Sequence, residues 1–520
     1  MKLPRHPIVA AGVALCLALI QTRAGVPEDM ALLRQRCLFY AAGRAPNDPG
    51  TISIRHGLYA QSPFSPTGEI DLAASGLSLA ALPAAVATSV ITLSQGTAIA
   101  LDASARIKEM ITKSAQAVTP AARALYGYKG MLFHYYVWDG VAGEFHGSAE
   151  VSSIDTALLM YGLAACAQYF GGTVLTDYTS ARDLVDWKGW LDTSTPGHLN
   201  QFRMAWYPAS GFAGWWDWWS QETLLLDVMA CASDITLDPR ALWTAWRRDL
   251  VTYVPPGPAA QTFVCHATWN GDPFTVFYAS ALLGLHRCPA DFNGVNWFAE
   301  SRTSYQGHVE YFRKERGFLD SLTFAFFNGS TGSIAKPRSS PDAPAANYSD
   351  ATIYSVAGGL PYYSSTPAAN PLAVALSQLM ATTPGFFQWH GWPLESVMAT
   401  QSPHLAASGF IIGQDISLTA LAVDNLLAGG RVHDLLFADA RIAGALSMIF
   451  PPQLNAVTIS SGLVQANWSG VPLSAARLQR SADLVVWQDA GPVSFSAAGV
   501  ASWSGTPSGV REFLRLSIQR

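Results

Sequence analysis

The sequence predicts a mainly helical protein, an (α/α)6 toroid or barrel followed by a small C-terminal β-sandwich-like module. Three observations lead there. About a dozen stretches between residues 29 and 449 carry apolar residues at helical spacing. Half of the 520 residues are hydrophobic and only 13% are charged, which fits a large buried interior. At Pro451-Pro452 the pattern changes to short β-type runs: AVTISS, LVQANWS, ARLQRSA, VVWQDAG and REFLRLSIQ. Twelve helices in alternating inner and outer rings close a toroid whose inner helices present their ends to a central cleft.

In chain order, residues 1–24 read as a secretory signal. Lys2 and Arg5 are its basic region, Ile8 to Ile20 its apolar run, and Thr22-Arg23-Ala24 a cleavage site. Removing it takes away three basic residues and no acidic one, so the formal charge goes from −5 to −8. That disfavours nucleic acid as a partner. No second apolar run is long enough to span a bilayer. The expectation is an exported monomer without stable membrane insertion. Of six cysteines none forms a CxxC pair, so no zinc cage is expected. Neither another metal nor a cofactor is expected. A Cys265–Cys288 disulfide is left open.

The helices are expected at 29–43, 70–87, 98–117, 153–170, 177–193, 219–234, 239–252, 273–288, 294–313, 350–358, 371–381 and 415–428. Two Gly- and Pro-rich stretches, 43–68 and 328–347, read as long loops that shape or cover a cleft or decorate the surface. Residues 25–450 then form the helical domain and 451–520 the β module.

The stretch from Gly130 to Gly172 organises the chemistry. An aromatic run containing Phe133, His134, Tyr135, Tyr136 and Trp138 ends at an Asp139-Gly140 turn. A polar connector carries Glu144, His146 and Glu150. Ser152 or Ser153 then caps an apolar helix with Asp155 in its first turn, where a carboxylate suits the positive end of the dipole. Capping alone would explain Asp155; the crowd of acids and aromatics points further. A second stretch sets Trp215, Trp216, Trp218 and Trp219 around Asp217, with Glu222 on the helix that follows. Flat indoles edged by polar groups suit stacking on pyranose rings, and a carboxyl against them is pushed toward general-acid duty. Pure packing is the plainer alternative. Phe386, Phe387, Trp389 and Trp392 form a third aromatic group. Asp350 and Asp415 repeat the placement of a carboxylate at a helix start.

No GxSxG elbow, HExxH pair or phosphate-cradling glycine loop is present. The segment LQRSADLVVWQDAG resembles fibronectin-type-III-like modules of exported bacterial proteins, which implies attachment or spacing. The helical region, roughly 29–445, resembles the bacterial glucoamylase-like (α/α)6 family that includes endo-β-1,2-glucanases. The resemblance rests on DLAASGLSLAALPAAVA, LFHYYVWDG, EVSSIDTALLMYGLAACAQYF, WWDWWSQETLLLDVMA, DATIYSVAG and GQDISLTALAVDN, which fall in the family's order.

The resemblance implies an exported hydrolase of a β-linked glucan, β-1,2-glucan foremost, working by inversion. It implies Glu222 as proton donor, with Asp155, Glu150, Asp350 and Asp415 as the other cleft acids. His134, Trp138, Trp215, Trp216, Trp219, Trp389 and Trp392 are the expected contacts to an oligo- or polysaccharide. The family's Tyr-Asn-Glu is Ser220-Gln221-Glu222 here, its Asp-Gly-Thr-Ile is Asp350-Ala351-Thr352-Ile353, and its Gly-x-Asp-Gln-Gly-Pro is reduced to Gly413-Gln414-Asp415-Ile416. Two other readings therefore stay open. One is a carbohydrate-binding protein on a degenerate scaffold. The other is a polysaccharide lyase, hinted at by His134 beside Tyr135.

Overall fold

A computed structural model describes residues 25–48, 50–64, 68–254, 261–268, 273–315, 350–383, 385–387, 391–393, 396–398, 403–404, 412–461, 463–506 and 513–518. Helix α1 (Val26–Ala41) comes first, then the hairpin β1 (Ile54–Arg55) and β2 (Leu58–Tyr59). Strand β3 (Ile70–Asp71) runs directly into α2 (Leu72–Ala87), which is followed by α3 (Leu93–Gln116) and α4 (Pro120–Tyr126). The hairpin β4 (Phe133–Asp139) and β5 (Glu144–Ser152) runs directly into α5 (Ser153–Phe170). Next come α6 (Gly172–Leu184), the hairpin β6 (Arg203–Tyr207) and β7 (Gly211–Trp215), α7 (Gln221–Ser233) and α8 (Pro239–Thr244). The hairpin β8 (Leu250–Tyr253) and β9 (Phe263–His266) leads to α9 (Tyr278–Leu283) and α10 (Trp297–Glu315). After β10 (Asp350–Thr352) follow α11 (Ile353–Gly358), α12 (Pro371–Thr382), β11 (Ser396–Met398), β12 (Pro403–His404), α13 (Gly413–Ala428), α14 (Arg431–Ala438) and α15 (Ala440–Ile449).

Side-chain caps fix the helix starts. Asp71 caps α2, Ser152 caps α5 and Ser220 caps α7, each accepting from a backbone N–H three residues on. In α2 and α5 nearly every residue is buried, so their sides are wrapped by neighbours and only their ends remain for chemistry. Helix α2 packs on α5 and α13, α5 on α7, α9 on α7 and α13, and α11 on α13. The α2–α5 contact is backbone against backbone. A Cβ on Gly76 would run into the Leu158 carbonyl, and one on Gly162 would run into the Gly76 carbonyl. Where α2 meets α13, Ser78 and Ser417 share a hydrogen bond of 2.7 Å.

Strands join in the order β3-β4-β5-β6-β7, all antiparallel, with Asp71 opposite Tyr135 and Ser152 opposite Ala205. Because β3 and β5 each end at a cap, this sheet holds the starts of α2 and α5 near one another. The polar connector expected at 144–150 is therefore strand β5. The helix expected over 239–252 stops at Thr244: Arg247 pairs through its backbone with Asp217 and Trp219, and residues 250–253 form a strand. The one expected over 273–288 is cut short by Gly284, which adopts φ +57°. Helices α4, α14 and α15 had not been expected. Part of 43–68 folds as the β1–β2 hairpin; 328–347 lies outside the described residues.

After α15, β13 (Gln453–Ser460), β14 (Leu463–Ser469), β15 (Ala475–Ser481), β16 (Gln488–Ser494), β17 (Val500–Gly505) and β18 (Phe513–Ile518) make two three-stranded sheets, β13-β14-β17 and β16-β15-β18. They bury their own small core, including Ala466, Trp468, Leu478 and Phe495. Cys265 and Cys288 are separate buried thiols, so the open disulfide is not formed.

Replacing Gly162 by Ala should lower unfolding free energy by about 1–3 kcal/mol, because a packed backbone crossing has no room for a methyl group. Urea denaturation measures it; an unchanged midpoint would show that the helices do not touch there.

Candidate active site

Strands β4 and β5 pair out of step at one place. Phe133 faces Val151 and Tyr135 faces Ser148, so β5 carries an extra residue. Ala149 takes φ +67° there, a left-handed conformation that costs energy for a residue with a Cβ. A bulge re-aims its neighbours. Glu150 Oε1 lies 3.0 Å from His134 Nδ1, and Asp155 Oδ2 lies 3.8 Å from the same nitrogen. Asp155 occupies the first turn of α5, its N–H donating to Ser152 Oγ at 3.3 Å. Asp71 accepts the Ala74 N–H at 2.9 Å. Tyr135 stacks on His134 and accepts a hydrogen bond from Gln61.

The charges decide the state of this cluster. Burial opposes a charged His134, but Asp155, the hydrogen bond to Glu150 and Asp71 outweigh it and raise the imidazole to about 10. The same hydrogen bond draws Glu150 below its ordinary value. Burial pushes Asp71 up to about 6, with His134 pulling it down and Asp155 pushing it up. At neutral pH one imidazolium thus stands among three acids from β3, β5 and α5.

A second group meets at Tyr278, the first residue of α9. Burial raises its phenol far above the ordinary value; Asp415 and Glu222 add to the rise, the hydrogen bond from Gln414 opposes it, and Asp71 adds again. Glu222 is in the first turn of α7 and Asp415 in the first turn of α13, both buried. The start of α7 is held rigidly. Gln221 Nε2 has Ser280 Oγ, Ser301 Oγ and Tyr362 OH within 2.9–3.0 Å to share its two protons, and the Ser280 N–H donates back to Gln221 Oε1 at 2.7 Å. The charge of Asp71, at the start of α2, is felt at both His134 and Tyr278. Carboxylic acids in unequal surroundings at one place can divide acid and base duty.

The tryptophans behave differently from the expectation. Trp219 is 1% exposed and enclosed by Trp243 and Trp297. Trp216 is buried and donates to Ser153 Oγ at 3.0 Å. Trp392 is buried against Tyr40 and Phe64. Trp215 donates to Asp192 at 2.8 Å while His198 and Arg203 lie against its ring. Trp138 stacks on His56 at 3.7 Å, with Arg106 also over the ring. Trp216, Trp219 and Trp392 are thus enclosed in the protein's own packing and are not an open sugar-stacking wall, whereas Trp138 and Trp215 are half-buried and keep part of their surface open. Trp389 lies outside the described residues. Asp350 opens strand β10, pairing with Met398, rather than the helix; its side chain lies outside what is described.

Asp71 and Tyr278 were not among the sequence candidates. The signal for Asp71 was present: a carboxylate directly before an apolar helix, the same pattern that marked Asp155 and Asp415. Tyr278 carried none, since a tyrosine in an apolar run reads as packing. Among the described residues no group of three or more His, Cys, Asp or Glu is arranged to hold a metal, and no helix is long and apolar enough to cross a membrane.

A His134 pKa above the ordinary 6.5 means its contribution to stability is complete below that value and is lost as the pH rises through about 10. Nitrogen-15 NMR of the imidazole should find it protonated at pH 8; a midpoint near 6.5 would mean that Glu150 and Asp155 do not surround it.

No protein-family model matches the sequence, and no curated protein matches it significantly. Solved structures do match. An endo-β-1,2-glucanase from Chitinophaga pinensis, in complex with sophorotriose and glucose, is 13% identical over 82% of this chain and 98% of its own, with a TM-score of 0.59. A candidate glucoamylase from Bacteroides fragilis is 16% identical over 82% and 97%, TM-score 0.60. An endo-β-1,2-glucanase from Talaromyces funiculosus with sophorose is 11% identical over 80% and 90%, TM-score 0.53. The resemblance read from the sequence holds at the level of the fold, which is that of glucoamylase-like proteins and endo-β-1,2-glucanases.

Proposed function

We propose that this protein is an exported glycoside hydrolase that cleaves a β-linked glucan, β-1,2-glucan foremost, by acid/base catalysis with inversion. The observation that carries the reading is the meeting of acids from separate helices. Asp415, Glu222 and Asp71 all act on Tyr278, and Asp71 also shares the His134 cluster with Asp155 and Glu150. The fold likeness to proteins named as endo-β-1,2-glucanases supports the substrate class.

On this reading α2, α5, α7, α9, α11 and α13 are the inner helices of an (α/α)6 toroid, and their N-terminal ends face the cleft. Their pairwise packing supports that arrangement. Glu222, as the protonated acid, gives its proton to the glycosidic oxygen as the bond from C1 breaks. A water adds to C1 from the opposite face and loses its proton to one of the other acids. The two working carboxyls of an inverting enzyme stand roughly 6.5–9.5 Å apart to leave room for that water. His134 serves as the fixed positive charge that keeps Glu150 and Asp155 in place. Residues 1–24 act as the export signal, the chain works as a monomer, and residues 451–520 form a fibronectin-III-like spacer or attachment module.

A lyase is less well supported. Of the two residues that hinted at its base, the His134 imidazole is held protonated to about pH 10, and burial with the nearby acids raises the Tyr135 phenol far above its ordinary value, so neither is set to accept a proton at neutral pH.

Reducing-end release from β-1,2-glucan, and from a panel of other glucans, should fall about 10²–10⁴-fold in Glu222→Gln. An unimpaired variant would remove Glu222 from the acid role. A wild-type protein that binds glucan yet releases nothing from any of them would replace the hydrolase with a binding protein.

A further inference from the structure

The sheet β3-β4-β5 has one buried face and one open face. Ile70, Tyr136 and Phe145 are buried on the first. On the second, strand alternation sets Asp71, and Glu69 just before β3, beside Tyr135, which faces Ser148 on β5. Asp71 is buried at the start of α2. Glu69, Tyr135 and Ser148 are half-buried and keep part of their surface open, and so is Gln61 beside them. The strip lies against the acids already described, for Tyr135 stacks on His134 at 3.9 Å and pairs in register with Asp71.

Backbone groups do the structural work of Gln61 and Glu69. The Gln61 N–H donates to Glu69 O at 2.9 Å, and Gln61 O accepts from the N–H of Gly413, the first residue of α13, at 2.8 Å. The side chains make lighter contacts: Gln61 Nε2 donates to Tyr135 OH at 3.3 Å, and Ser148 Oγ donates to Glu69 Oε1 at 3.4 Å. Hydrogen-bonding capacity is left over. Among the described residues the Tyr135 hydroxyl accepts one bond and donates none, and Gln61 Oε1 and Glu69 Oε2 accept none. Burial, with Asp71, Asp155, Glu69 and Glu150 adding to it, raises the Tyr135 phenol far above its ordinary value, so it keeps its proton to donate.

We propose that Gln61, Glu69 and Tyr135 form a binding subsite for one glucosyl unit of the substrate, beside the acids. Tyr135 donates its O–H to a sugar oxygen, and Glu69 and Gln61 accept protons from sugar hydroxyls. A sugar ring carries both donors and acceptors, which one free donor and two free acceptors can meet. Glu69, Asp71, Glu150 and Asp155 outnumber the single imidazolium of His134, so an anionic polymer is disfavoured and a neutral glucan is not. The proposal rests on the hydrolase reading and adds to it the side chains that hold the substrate.

The test uses Glu69→Gln, Gln61→Ala and Tyr135→Phe, the last removing only the hydroxyl and leaving the ring on His134. With β-1,2-glucan as substrate, Glu69→Gln should raise KM about tenfold or more and the other two roughly three- to tenfold. The kcat should stay within about threefold of wild type, as expected when binding alone is lost, and melting temperature should not change. In a Glu222→Gln background, calorimetric titration with a β-1,2-linked glucose trimer should show the same weakening without turnover. Variants with wild-type KM and trimer affinity, beside a Glu222→Gln protein that has lost turnover, would overturn the subsite and leave the hydrolase standing. Loss of melting temperature and kcat together at unchanged KM would make the three side chains structural and overturn it too. A wild-type protein that neither cleaves nor binds any glucan would remove the hydrolase reading and the subsite with it.

Discussion

Two glycines, Gly76 on α2 and Gly162 on α5, let the backbones of these helices touch. The site depends on that contact. Each helix starts with a carboxylate, Asp71 as cap and Asp155 in the first turn, about one to two turns before its glycine. Close crossing at the glycines brings the two starts together, and the β3-β4-β5 pairing fixes them from above. A larger residue at either position would spread the helices and with them the acids.

Among the described residues, most buried acids have partners that are plainly structural. Asp192 is held by Arg203 and Trp215, Asp291 by Trp243 and Trp297, and Asp424 by Arg34 and Arg431. The acids at the starts of α2 and α5 are arranged otherwise. Asp71, Asp155 and Glu150 divide one imidazolium among them, and Asp71 is left with a pKa of about 6. A buried carboxyl at about 6, such as Asp71, can exchange a proton near neutral pH, which acid/base chemistry needs and packing does not.

Much of the fold was readable. The 153–170 helix was placed to the residue, because a serine cap and a long apolar run leave no alternative. The five-stranded sheet was not, since β3 is only two residues long and β5 is polar enough to pass for a loop. Trp216, Trp219 and Trp392, which are buried, misled for a definite reason. An indole wants a partner for its N–H, and a sequence cannot say whether that partner is a sugar or a neighbour. Here Asp192, Ser153, Asp227 and Asp291 take the N–H groups of Trp215, Trp216, Trp246 and the Trp243–Trp297 pair. Gln221 proves to be a brace for α7, its side-chain amide held among Ser280, Ser301 and Tyr362. Asp71 was missed although its pattern was visible, because the helix was expected to begin at residue 70, which put Asp71 inside it rather than at its cap.

The most direct measurement is the titration of His134 in a Gly162→Ala background. If the helix crossing sets the spacing of the acids, the added methyl group should move the imidazole midpoint down from about 10 toward its ordinary value as Asp155 and Asp71 draw apart. A protein that is destabilised by the substitution but keeps the same midpoint would contradict the link between the glycine contact and the site.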